Sequence, residues 1–239
     1  MLNITNTKDE ATVQRSYLIF GPTKTGKTNL VTTLPIGKVL LVNVENNLDS
    51  IAGADVMKVD CFSMKDWKDI YNAIKDNPPQ WLFVDSITGL LQRSFNDEFK
   101  KTKDGRAAYS SVEREFYEVL AELKSLKSNI VCTAQQGQIK DEITGGVMFG
   151  AALPWAKLEQ RLPYYFSVVL ASKSTKDETG KTQYYLQCHP DTQYQVGART
   201  MYGLPNPLNL YEKSDLYHIH TKLTQTNPTQ PVTKDENNG

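Results

Sequence analysis

Seven short apolar runs recur along the chain: "YLIF" (17–20), "VLLVNV" (39–44), "VMKV" (56–59), "WLFV" (81–84), "NIVCT" (129–133), "YFSVVLA" (165–171) and "QYYLQC" (183–188). The first five are continuously apolar rather than alternating. A strand with such a run has no side left for water, which is the condition of a parallel strand covered on both faces. Helical patterns fall between several of them. "GKTNLVTTL" follows the first, and "SMKDWKDIYNAI" offers Ser63 as an N-cap with Met64, Trp67, Ile70, Tyr71 and Ile74 on one face. "ITGLLQRSFNDEFKK" and "SSVEREFYEVLAELKSL" read as two more helices. The alternation predicts an α/β fold with a mostly parallel, doubly wound sheet flanked by helices. The last two runs are joined by "KSTKDETGKT", where Asp177 and Gly180 signal a hairpin, so the C-terminal strands are expected to be antiparallel.

Two stretches look irregular. Residues 134–154, "AQQGQIKDEITGGVMFGAALP", read as a long glycine-containing loop, and long loops in compact domains are usually functional or mobile. Residues 222–239 are polar, contain two prolines and read as a disordered tail, leaving residues 1–221 as one domain. Of the 239 residues, 27 are basic and 27 acidic, so no global field attracts nucleic acid or anionic lipid. Any such binding has to come from a local patch. The three cysteines are widely spaced without a CxxC pair, which argues against a disulfide framework or zinc site and fits a reducing compartment. Neither a signal-peptide run nor a membrane-spanning run is visible, so a cytoplasmic protein without membrane attachment is expected.

"GPTKTGKT" stands between the first strand and the first helix and fits G-x-x-x-x-G-K-[ST]. Such a loop, here Gly21, Pro22, Thr23, Lys24, Thr25 and Gly26, wraps backbone N–H groups around a β-phosphate, where a Cβ on either glycine would obstruct. The positive end of the helix beginning near Gly26 points at the same group. Lys27 reaches the β- and γ-phosphates, the Thr28 hydroxyl is a Mg²⁺ ligand, and Asn29 completes the contact stretch. ATP with Mg²⁺ is the expected ligand. A second oxygen ligand is expected at the end of a neighbouring apolar strand, and "WLFVDS" supplies Asp85.

Hydrolysis needs a group that orients or deprotonates water near the γ-phosphate. Many motor-type ATPases carry that glutamate immediately after the magnesium aspartate, but here Ser86 holds the position. Glu45, at the end of "VLLVNVE", is the alternative. At these residues the chain resembles the RecA-like P-loop NTPase core. "NVENNLD" is similar to that family's catalytic-glutamate segment, with Glu45 as the glutamate and Asp49 downstream. "WLFVDSITGL" is similar to its magnesium strand. "NIVCTAQQGQI" is similar to its sensor strand, where Gln135 lies closest to the strand end and Gln136 and Gln138 are alternatives. The resemblance covers residues 15–205 and implies the strand order 3-2-4-5-1-6-7, which sets the strands of Glu45 and Gln135 on either side of the Asp85 strand. The compact length, the loop and "ARTMYGLP" further resemble the phage RecA-like single-strand-annealing proteins. That implies recombination on single-stranded DNA in the host cytoplasm, alongside a single-strand-binding protein.

Related ring and filament ATPases complete each site with a neighbour's basic residue, which implies a homo-oligomer. "QVGARTMYGLP" resembles a K-x-R finger with Arg199 as its arginine, although Gly197 stands at the lysine position. For DNA, "KKTKDGR" concentrates Lys100, Lys101, Lys103 and Arg106. Residues 134–154 correspond to a DNA-contacting loop of the family, with Lys140 followed by Asp141 and Glu142, and with Phe149 or Trp155 available to stack or to pack. In "YHIH", His218 and His220 read as surface residues on a strand-like segment. Two other functions use the same loop: a nucleotide-operated switch that scarcely hydrolyses and needs no DNA, and a small-molecule kinase. The kinase requires an arginine-rich lid, and no arginine cluster follows residue 134.

Overall fold

The computed structural model describes residues 14–140, 145–201 and 203–224. A ten-stranded sheet runs through the chain. Its parallel part consists of β1 (Ser16–Gly21), β2 (Val39–Asn43), β3 (Met57–Asp60), β4 (Trp81–Asp85), β5 (Asn129–Lys140) and β7 (Val168–Lys176). The antiparallel additions are β6 (Val147–Ala151), β8 (Thr182–Gln187), β9 (Gly197–Ala198) and β10 (Tyr211–Lys213). The order is β3-β2-β4-β5-β1-β7-β8-β10, with β6 on β5 and β9 on β7. The seven anticipated runs keep their neighbours, but the expected order lacks three short strands that sequence periodicity does not reveal.

Side chains of the central strands divide between two cores. Leu18, Phe20, Leu82, Val84, Ile130 and Cys132 face one. Tyr17, Ile19, Trp81, Phe83 and Val131 face the other. Because both faces of these central strands are buried, their runs could not alternate; β3 departs from the expectation, since it lies at the sheet edge with Met57, Lys58 and Asp60 exposed. The first core is covered by α1 (Met64–Ile74), α2 (Ile87–Thr102), α3 (Gly105–Ser125) and the short α4 (Ala156–Arg161), which contribute Trp67, Leu90, Phe116 and Leu158. Ser63 caps α1 by accepting from the Asp66 amide at 3.2 Å. The second core is closed by Leu30, Val31 and Leu34 after the glycine loop and by α5 (Leu216–Thr224). Cys61, Cys132 and Cys188 are buried and unpaired.

Several expectations are corrected. The segment after the glycine loop is a 3-10 helix, Thr28–Thr33, rather than an α-helix. Thr32 and Thr33 donate their hydroxyls to the Asn29 and Leu30 carbonyls three residues back, and Pro35 holds Leu34 extended, so an α ladder cannot grow. Much of 134–154 is a β-hairpin instead of a loop: β5 continues past Ala134 and pairs with β6 from Gln136↔Ala151 to Lys140↔Val147. Asp141 and Glu142 lie outside the described residues. "YHIH" is helical, because Leu216, Ile219 and Leu223 place one apolar stripe at helical spacing and Asp215 accepts from the His218 amide at 2.9 Å. His218 is exposed, but His220 is half-buried beside Tyr17 and Trp81. The same helix runs to Thr224, past the expected start of the tail, and residues 225–239 lie outside the described ones. Among the described residues no helix is long and apolar enough to cross a membrane.

Candidate nucleotide site

At the C-terminal ends of the parallel strands, β1 gives way to the glycine loop. Gly21 lies so close to β7 that a Cβ there would sit 2.4 Å from the Ser172 carbonyl oxygen. Lys24 (φ 63°) and Gly26 (φ 86°) are both left-handed, and Lys27 returns to the right-handed region at φ −54°. Alternation of this kind turns successive amides toward one concavity, a nest for an anion. The loop is fastened from behind: the buried Ser172 hydroxyl donates to the Thr25 carbonyl at 2.8 Å, and Thr25 Oγ1 donates to the Pro22 carbonyl at 2.9 Å. Lys27 Nζ donates to the carbonyls of Gly21 (2.9 Å) and Pro22 (2.7 Å). Burial pushes its pKa down, opposed by the carboxylates of Asp85 and Glu45.

Asp85 ends β4 directly across from the loop. Its Oδ2 accepts from Thr28 Oγ1 at 2.6 Å and its Oδ1 from the buried Thr133 hydroxyl on β5. Burial raises its pKa, while the two hydroxyls and Lys27 favour the charged form. The pair Thr28–Asp85 is a compact oxygen donor set, the kind a hard cation takes. Among the described residues no group of three or more His, Cys, Asp or Glu could hold a metal ion. Mg²⁺ is bound by few protein oxygens and keeps waters and phosphate oxygens for its remaining positions.

Glu45 leaves the end of β2 and is exposed. The Val44 amide donates to the Asp85 carbonyl at 2.8 Å, which pins the strand exit beside β4. The hydroxyl of Ser86 donates to Glu45 Oε1 and accepts from the Gly89 amide at 3.1 Å, so one side chain both caps α2 and sets the glutamate. Gln135, exposed on β5, faces the same cavity from the opposite side of β4, and the Thr88 hydroxyl accepts from its amide at 3.1 Å. Gln136 instead reaches toward Tyr194. Lys27, Thr28, Glu45, Asp85 and Gln135 line one cavity of about 600 Å³, together with Thr23, Lys24, Gly26 and Asn29.

Residues that sequence reasoning missed are Thr133, Ser172 and Tyr184. Tyr184 stands on β8 and lines the cavity over Gly26. Thr133 could be found by counting along β5, since its neighbour Cys132 pairs with Val84, one residue before Asp85. Ser172 needed the β1–β7 register and Tyr184 the β7–β8 register, which only the fold supplies.

Other candidates lie elsewhere. Arg199 follows β9; its amide donates to the Ser167 carbonyl at 2.8 Å and its own carbonyl accepts from Arg15. That is the N-terminal end of β1 and β7, opposite the loop, so Arg199 cannot reach the cavity of its own chain. In the last turn of α2, Lys100 and Lys101 pair with Asp97 and Glu98 at 3.2 Å each, while Lys103 is the left-handed C-cap of α2 and the Arg106 amide near the start of α3 donates to Asp104. Lys140 ends β5, and its side chain lies outside the described ones. Phe149 packs on Tyr194 (5.1 Å) and Trp155 on Tyr109 (4.5 Å). A larger cleft of about 800 Å³ between α1, α2 and α3 is rimmed by charges that neutralise one another, such as Lys68 and Glu122 at 3.1 Å.

A parallel α/β sheet with an anion nest after β1 and a Thr–Asp oxygen pair defines a P-loop nucleotide-binding protein. The AAA-domain family model matches residues 14–207, and the chain belongs to that family. Its members are P-loop NTPases that generally use ATP and Mg²⁺. No curated protein sequence matches the chain.

Proposed function

We propose that the protein hydrolyses Mg·ATP and uses it, as a RecA-like homo-oligomer of ring or filament form, on single-stranded DNA in phage-type recombination or annealing in the cytoplasm. The observation that carries this reading is the flanking of β4 by β2 and β5, which aims Glu45 and Gln135 from opposite sides at the cavity of Lys27 and Asp85. Glu45 holds and deprotonates the attacking water. Ser86 positions Glu45, and Lys27 stabilises charge on the transferring phosphoryl. Thr28 and Asp85 would hold Mg²⁺, which would supply charge neutralisation at the phosphate oxygens.

The DNA role rests on the RecA-like resemblance and on the hairpin β5–β6, whose first strand carries Gln135 at its base. A γ-phosphate contact at Gln135 would thereby reach a projecting element. Arg199, remote from its own cavity, serves a neighbouring subunit, and a single-strand-binding protein is the expected partner. The test is ATP turnover by wild type and Glu45→Gln with and without single-stranded DNA. Turnover that rises with DNA and is lost in the variant supports the reading. Turnover indifferent to both overturns it in favour of a nucleotide switch.

A further inference from the structure

The phosphate-holding residues account for one part of the cavity. A nucleotide also brings a flat, apolar base, which needs an apolar surface to leave water. Among the described residues that line the cavity, the side chains are polar or charged, glycine aside, with one exception: Tyr184.

Its placement follows from strand register. On β7–β8, Ser172 pairs with Leu186 and Ser174 with Tyr184, so all four side chains share one face of the hairpin. That is the face from which Ser172 holds the Thr25 carbonyl and Leu186 joins the core of Leu30 and Val31. Tyr184 therefore lies one step further along the same face, over the loop. A Cβ on Gly26 would meet the Tyr184 ring at 3.4 Å (Cδ1), 3.7 Å (Cγ) and 3.9 Å (Cε1). These are ordinary van der Waals distances, so the ring lies against the loop at Gly26 while the positive φ alone calls for glycine there. The ring leans on the loop and is still 43% exposed. A rigid aromatic ring costs little entropy to order and stacks on any base without reading its edge.

We infer that Tyr184 is the base-binding residue of the site: its ring stacks on the nucleobase while the loop holds the phosphates. This rests on the nucleotide-site reading above. The inference assigns the ring, and not the hydroxyl, to binding. It also places the β7–β8 hairpin in direct contact with the nucleotide.

The test compares a ligand that has a base with one that lacks it. Calorimetric titration of full-length wild type, Tyr184→Ala and Tyr184→Phe with Mg·ATP and with Mg·tripolyphosphate separates the two parts of the cavity. Tyr184→Ala should weaken Mg·ATP by roughly tenfold to a hundredfold and leave tripolyphosphate within about twofold, while Tyr184→Phe keeps both. Circular dichroism melting checks that each variant is folded. Equal weakening of both ligands in a folded Tyr184→Ala protein, or no weakening of ATP, overturns the assignment. If neither ligand binds wild type, the phosphate site itself falls and Tyr184 with it. If Lys27→Ala loses both ligands, the site stands whatever Tyr184 does.

Discussion

Lysines that the sequence offered as phosphate contacts stand at two places, the glycine loop and the end of α2, and their surroundings differ in kind. Lys27 is held by two backbone carbonyls in a partly buried site whose other members are themselves fastened by Ser172, Thr133 and Ser86. Lys100 and Lys101 are exposed and each is neutralised three residues away on its own helix. A charge whose position is imposed by many partners can act on a ligand at one geometry. A charge on a solvated helix end is screened and replaceable. Chemistry concentrates at the first place.

The largest consequence is at Lys27. Removing it takes away hydrogen bonds to charged phosphate oxygens, each contributing about 1.5–3 kcal/mol, so Lys27→Ala should cut Mg·ATP affinity by roughly a hundredfold or more in a titration. Glu45→Gln should come next. On the proposed role of Glu45 toward water rather than nucleotide, turnover should fall by roughly a hundredfold while Mg·ATP affinity stays within about twofold. Ser86→Ala should do less to turnover than the glutamate variant. It also removes the cap of α2, at about 1 kcal/mol, visible as a melting temperature lower by about 2–4 °C.

His220 tests whether burial alone, away from the cavity, has the same effect. It sits at the other end of the sheet, 2.8 Å from the Tyr17 hydroxyl and edge-on to Trp81. Burial lowers its pKa to about 4, helped by the Arg15 charge. The unfolded chain, with an ordinary histidine near 6.5, binds more protons between these values. Stability should therefore be complete above pH 6.5 and fall as pH drops toward 4, and a His220→Phe variant should flatten that slope in melting curves. Nucleotide affinity should not follow it. The smallest effect is expected at the end of α2, where Lys100→Ala with Lys101→Ala should change stability by no more than about 0.5 kcal/mol in denaturant unfolding. A large loss there would erase the contrast.

How much of this was legible in the sequence differs by kind of residue. The loop, Asp85 and Glu45 are readable because each follows a strand-length, largely apolar run, which marks a strand without any tertiary knowledge. Gln135 followed from the same logic. Strand β6 was not readable: Val147 and Phe149 favour a strand, but Gly145 and Gly146 before them and Gly150 after them read as a loop, and the pairing is stabilised by a neighbouring strand. The 3-10 character of Thr28–Thr33 was hidden because an apolar pattern at helical spacing does not distinguish the two helix types over so short a length. His220 looked like a surface residue because alternation over four residues fits a strand as well as a helix. Its partners come from Tyr17 and Trp81, far away in the chain. Ser172 became visible only through the β1–β7 register and Tyr184 only through the β7–β8 register.

On the proposed function, the cavity at the ends of β1, β2, β4 and β5 is an ATPase site in which Glu45 serves as the base. Its most direct test is steady-state release of phosphate from saturating Mg·ATP by wild type and Glu45→Gln, both shown by titration to bind the nucleotide. Turnover by the wild type that falls by roughly a hundredfold in the variant is the result expected. Equal turnover by the two proteins would contradict the account.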